Sequence, residues 1–259
     1  MLKRFMVMAI TSFLSAAAAQ AARCGNDAGG FEAWKSAFAP EAKAAGIGSV
    51  GLSALASTHY ATKTIYADRH QKSFSLSFED FMRIRGASSI VARARSLKVQ
   101  NSSLLTSIEQ QYGVPAGPLL AIWGMETGFG AVSGNQNTIS AVASLAYDCR
   151  RHDFFTDQAL AALKLVDRGV LSASSIGAMH GEVGQTQFMP KNILSYGVGG
   201  SLTVKNNALM STANFLKGHG WRRGAGYQPG EANFAAFQAW NAATVYQRAL
   251  AAMGKQIDQ

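Results

Sequence analysis

The chain has 259 residues, 48% hydrophobic and 15% charged, with 24 Lys and Arg against 15 Asp and Glu for a net charge of +9. That length supplies one large domain or two small ones with an ample core, and the composition excludes a disordered polymer. A basic surplus suits an acidic polymer (cell wall, anionic lipid or nucleic acid) or serves solubility alone, and no zinc-finger or similar motif supports nucleic acid as a partner.

Residues 1–21 read as a signal peptide, with Lys3 and Arg4 before a short apolar run over 5–14 and small-residue cleavage sites at Ala17-Ala18-Ala19 and Ala19-Gln20-Ala21. The run is too short to span a membrane, and no later stretch reaches spanning length. Arg23 directly before Cys24 does not fit the small residue that lipid attachment requires. A bacterial protein exported to the periplasm or beyond, with no transmembrane segment in the mature chain, is expected. Loss of Lys3 and Arg4 leaves 22 basic residues against 15 acidic ones, a net of +7. The two cysteines, Cys24 and Cys149, are an even pair in an oxidising compartment and so a candidate disulfide, with two unlinked thiols as the alternative.

Beyond the leader the chain reads as mainly α. Phe31, Trp34 and Phe38 recur at helical spacing, and Pro40 is expected to interrupt or restart that helix. A second helix is predicted over 51–62. Ser77 is placed to cap a short helix carrying Phe81 and Ile84. Helices over 87–99 and 101–112 follow, the latter closed by Gly113. Val114-Pro115 separates this N-terminal helical region, 22–113, from a second region, 114–255, with a soft boundary and no linker between them. In the second region helices are predicted over 116–127, from Thr138 to about 145, over 152–168, over 190–196 and over 206–217, with two more within 232–253. Alternating strand patterns are scarce, which leaves at most a small β-hairpin, placed in the Gly-rich stretch 176–190.

Glu126 is the one charged residue between Glu109 and Asp148. On a helix over 116–127 it shares a face with Leu119, Ile122 and Trp123, at offsets of seven, four and three. A carboxyl there loses water and has no cation nearby in sequence, so its pKa is expected to rise, as a general acid near neutral pH requires. Gly128, Gly130 and Gly134 then stop the helix and let backbone approach whatever fills the site. Asp148, Asp153 and Glu182 are the nearest candidates for a second carboxylate, and each reads better as a helix-end or surface acid.

The Glu126 helix followed later by GQTQFMP at 184–190 resembles the lytic murein transglycosylases of the membrane-bound lytic transglycosylase B type. YGVP at 112–115, AIWGMETGFG at 121–130, SLAYDCRRHDFF at 144–155 and HGW at 219–221 carry the same resemblance, from about Phe31 almost to the C-terminus. It implies an α+β lysozyme-like core, a peptidoglycan glycan strand as partner and substrate, and Glu126 as sole acid and base. In that chemistry the muramyl C6 hydroxyl closes on C1 and leaves a 1,6-anhydro end. Gln187 matches the family's glutamine. Trp240, Asn241 and Tyr246 fall in its aromatic-Asn segment and are expected in the groove, with Phe188 and Met189 as an apolar floor or as core.

The sequence departs from the family at Ala178, where Ser is usual, and at Phe81, where Tyr is usual. In place of an Asp-rich calcium loop stands GVGGSL at 197–202, so no metal is predicted there. His59, His70, His152, His180 and His219 show no ligand spacing, and no cofactor is implied. A lysozyme-type hydrolase and a non-catalytic wall-binding protein are the competing readings.

Overall fold

A computed structural model describes residues 24–70 and 76–259; the signal-peptide reading lies outside these residues. The N-terminal helices are α1 (Phe31–Ala44), α2 (Ser49–Ala56), α3 (Thr62–Arg69), α4 (Phe78–Ile84), α5 (Ala87–Gln100) and α6 (Ser102–Tyr112). Then come α7 (Ala116–Thr127), strand β1 (Gln136–Asn137), α8 (Thr138–Tyr147), α9 (His152–Asp167), strand β2 (Ile176–Gly177), α10 (Pro190–Tyr196), α11 (Lys205–Gly218), α12 (Phe234–Trp240) and α13 (Thr244–Asp258). The mainly α expectation holds, with one two-stranded sheet among the described residues.

Several boundaries differ from the sequence reading for local reasons. α1 runs through Pro40, because Phe31, Trp34, Phe38 and Ala42 bury one continuous face that outweighs the lost hydrogen bond. The helix expected over 51–62 is instead α2, which ends at Ala56. The Thr58 hydroxyl donates to the Leu55 carbonyl at 2.7 Å, and the Thr58 carbonyl accepts from the buried Lys35 Nζ at 2.6 Å, so the chain turns there. Within 176–190 an isolated antiparallel bridge pairs Val183 with Phe188, while the two-stranded sheet reaches outside that stretch: β1 and β2 pair antiparallel, Gln136 opposite Gly177, and close a long excursion around α8 and α9. Gly134 beside this pairing has φ of +97°, and a Cβ on it would lie 2.1 Å from the Gly177 carbonyl oxygen. α13 continues to Asp258, past the 255 limit expected for the second region.

α7 is the axis of the core. Every residue from Ala116 to Thr127 is buried except Glu126, so the helix is apolar on all sides and is packed on all sides. It lies against α13, α5, α6 and α11, and α5 also packs on α13, so the N-terminal region shares one core with the second. Elsewhere α8 packs on α9, and α2 packs on α9 as well. Cys24 and Cys149 form a disulfide with Cα atoms 4.9 Å apart, next to paired backbone at Gly25 and Asp148.

Candidate active site

Glu126 stands on the last turn of α7. Gly128 follows at φ +58° as its left-handed cap, with its N–H bonded to the Gly124 carbonyl at 3.0 Å. Two buried or half-buried aromatic donors meet one oxygen of the carboxyl. The Tyr246 hydroxyl donates to Oε1 at 2.6 Å, and the Trp240 indole N–H donates to the same atom at 2.9 Å. Burial pushes the Glu126 carboxyl above its usual range, and these two hydrogen bonds oppose the shift without cancelling it. The nearby Glu182 charge adds to the rise and that of Arg85 subtracts from it. With Oε1 accepting from both donors, the proton of the neutral acid is placed on Oε2.

The acid opens on a cavity of about 320 Å3 whose wall includes Gln187, Phe188, Met189, Trp240 and Asn241, five of the residues singled out in the sequence. Gln187 is left-handed at φ +55°, an uncommon conformation for a residue with a side chain. Its Nε2 donates to the Gly184 carbonyl at 2.9 Å, so the amide braces its own loop while the residue lines the cavity. Asn241 likewise serves twice: Oδ1 accepts from the Ala243 N–H at 2.9 Å, ahead of α13, while the residue lines the cavity. Phe188 is 2% exposed and meets Trp240 edge-on at 5.4 Å, so it is core that reaches the cavity wall.

Tyr246, expected in the groove, is not among the cavity-lining residues. It is buried beneath Glu126, where its hydroxyl is spent on Oε1 and its ring meets Phe81 edge-on at 6.1 Å. A phenylalanine at 81 therefore packs where a hydroxyl was expected.

The loop carrying Gln187 is tied to α7 through Gln185 and Thr127, which the sequence reading did not single out, and through Trp123. Trp123 Nε1 donates to Gln185 Oε1 at 3.0 Å, and the Thr127 hydroxyl donates to the Gln185 carbonyl at 2.6 Å. Glu182, which the sequence offered as a candidate second carboxylate but which read better as a helix-end or surface acid, lines the cavity together with His180. Among the described residues no cluster of three or more His, Cys, Asp or Glu could hold a metal ion, and no helix is long and apolar enough to cross a membrane.

A protein-family model described as "Transglycosylase SLT domain" matches residues 30–230. The chain belongs to the transglycosylase SLT domain family. Within this family context it is 32% identical over 133 residues to the membrane-bound lytic murein transglycosylase B of Escherichia coli, a match covering 48% of this chain and 37% of that protein. It thus spans well under half the length of that curated relative. SltB3 from Pseudomonas aeruginosa, crystallised in complex with NAG-anhNAM-pentapeptide, superposes with a TM-score of 0.81 at 26% identity over 88% of this chain and 79% of that one. The E. coli transglycosylase Slt35 in complex with bulgecin A gives 0.74 at 19% identity, covering 92% and 96%, and shows the shared fold.

Proposed function

We propose that this chain is an exported bacterial lytic transglycosylase that cleaves the β-1,4 bond between N-acetylmuramic acid and N-acetylglucosamine in peptidoglycan, leaving a 1,6-anhydromuramyl end. The observation that carries the reading is Glu126: a half-buried, desolvated acid with both donors on Oε1, set in the wall of a sugar-sized cavity. Family membership supports it, and the SltB3 ligand contains the anhydro sugar this reaction would leave.

In the first step Oε2–H gives its proton to the glycosidic oxygen, and the C1–O bond breaks with its electron pair leaving on that oxygen. Burial favours the protonated starting state. As the carboxylate forms, the Tyr246 and Trp240 donors are already aimed at it, so its charge is stabilised without reorganisation. In the second step the muramyl O6 closes on C1 and its proton returns to Glu126. No water is consumed and the acid is restored. Gln187 Oε1 and Asn241 supply uncharged polar contacts for sugar hydroxyls and N-acetyl groups, and Trp240, Phe188 and Met189 form the apolar side of the seat. Tyr246 acts on Glu126 and not on the sugar.

The test is mass spectrometry of products from sacculi digested by wild type and by Glu126→Gln. Anhydromuropeptides are expected from wild type, with a loss of roughly 1,000-fold or more in the variant. Hydrated, reducing muramyl ends would instead identify a lysozyme-type hydrolase, for which Glu182 would supply the second carboxylate. Sacculi bound but undigested by folded wild type would identify a wall-binding protein.

A further inference from the structure

Glu182 lies in the wall of the same cavity as Glu126, yet the proton cycle just described makes no use of it. Both its oxygens are engaged. The His180 backbone N–H donates to Oε2 at 2.9 Å, and His180 Nδ1 lies 3.4 Å from Oε1. Behind His180, its Nε2 is 3.9 Å from Oδ1 of Asp68, a 1% exposed carboxylate that is ion-paired with both Arg150 and Arg151. The loop backbone is fixed as well. The Ala178 N–H donates to the Glu182 carbonyl at 2.8 Å, and Val183 and Phe188 exchange backbone hydrogen bonds at 2.8 and 3.0 Å. Gly181, between His180 and Glu182, has φ of +90°, and a Cβ there would lie 2.3 Å from Val142 Cγ1. A carboxylate only 25% exposed, gripped this closely at the edge of a ligand cavity, is expensive to keep without a use.

Resting on the transglycosylase reading, we propose that Glu182 is the second working carboxylate of the cavity, an ionised group that stabilises the positive charge developing on the anomeric carbon, with His180 as its positioning residue. Glu182 forms and breaks no bond. As Glu126 loses its proton to the leaving oxygen, the cationic sugar is left between two negative groups until O6 closes on C1. The environments of the two acids differ in the required sense. Burial raises Glu126. Burial also acts to raise Glu182, but hydrogen bonds from the His180 side chain and backbone outweigh it and hold that carboxyl below its usual range. The groups facing Glu126 are Tyr246 from α13, Trp240 from α12, Arg85 at the end of α4, and Glu182 with His180 from the loop. Of these Glu182 is the one whose charge favours a protonated Glu126.

The experiment compares Glu182→Gln, Glu182→Asp and His180→Ala with wild type in the full mature chain, measuring kcat, KM, the pH profile of kcat and product masses, with circular dichroism as the check on folding. Glu182→Gln is expected to lower kcat by about 100-fold with KM within about twofold, the signature of a group that acts in the transition state. The alkaline limb of its profile should move to lower pH, because Glu126 has lost a negative neighbour. Glu182→Asp keeps the charge and should retain both the limb and more activity than Glu182→Gln; a packing role would rank the isosteric Gln above Asp. His180→Ala, which leaves Glu182 in place, should lower kcat in the same direction by a smaller factor and remains informative if Glu182→Gln does not fold. An unchanged kcat and limb in Glu182→Gln, with wild type still releasing anhydromuropeptides, overturns this inference alone. Hydrated ends from wild type overturn it together with the transglycosylase reading, since Glu182 would then be a base for water.

Discussion

At the scale of single residues, the burial that suits Glu126 to catalysis also works against the fold. Its carboxyl is held above the ordinary value by desolvation, so the folded state favours the protonated form. The stabilising contribution of that form is complete below the unfolded-state value and is lost as pH rises through the folded one. Glu126→Gln carries no such penalty. Its melting temperature is therefore expected to gain on wild type as the buffer moves from pH 4 to pH 8, and equal differences at both ends would refute the linkage. Tyr246→Phe acts in the opposite sense on the acid. Removing a 2.6 Å donor to Oε1 destabilises the carboxylate, so the alkaline limb of kcat should shift to higher pH while kcat falls about tenfold. Glu126 was legible in the sequence because a lone charge in a long apolar stretch has few explanations. Its donors were legible only by family resemblance, since they lie 114 and 120 residues away; resemblance placed Tyr246 in the groove, and its hydroxyl donates to Glu126 Oε1. Glu182 was named as a candidate second carboxylate and set aside as a helix-end or surface acid, because what distinguishes it, His180 backed by Asp68, is assembled from residues over 100 positions apart.

At the scale of elements, the helices were readable wherever one apolar face or one cap fixed them. Ser77 caps α4 through the Asp80 N–H at 3.1 Å, and Gly113 ends α6 at φ +77°. The short strands carried no alternation to read, because two residues on each side pair through a contact some forty positions apart along the chain. The junction of α3 with the start of α9 shows a different kind of hidden tie. Asp68 on α3 accepts from Arg150 Nε at 2.6 Å, and Arg69 beside it meets Asp148 Oδ2 at 2.5 Å. Asp68→Ala removes one member of a buried group and leaves Arg150 and Arg151 without their partner. Because both arginines are more than a third exposed and stay solvated, a loss of about 1–2 kcal/mol is expected, read as a lower urea midpoint with unchanged m-value. Because Asp68 also stands behind His180, the same variant should lower kcat below what its lost stability explains. Activity assayed well below its melting transition separates the two effects.

At the scale of the whole molecule, the described residues are fastened near both their first and last positions to the core that holds the site. The Asp258 carboxylate, one residue from the C-terminus, accepts from the Gly117 N–H at 2.7 Å and from the Tyr227 hydroxyl at 2.6 Å, and so anchors the N-terminal turn of α7. At the other end the Cys24–Cys149 disulfide closes a loop across 125 positions. The chain-entropy model gives such a loop up to about 5 kcal/mol of stabilisation, acting through the unfolded state. The bridge lies at the end of α8, beside the Asp68 and Asp148 ion pairs, and none of its atoms lines the cavity. Reduction, or the paired change Cys24→Ser with Cys149→Ser, is therefore expected to lower the melting temperature substantially while leaving kcat and KM on sacculi near wild type at 20 °C. A large loss of kcat with the fold intact would mean that the N-terminal tie shapes the site itself. A melting temperature unchanged by reduction would mean that the backbone pairing of Gly25 with Tyr147 and Cys149, at 2.9 and 3.2 Å, holds this end without the bridge.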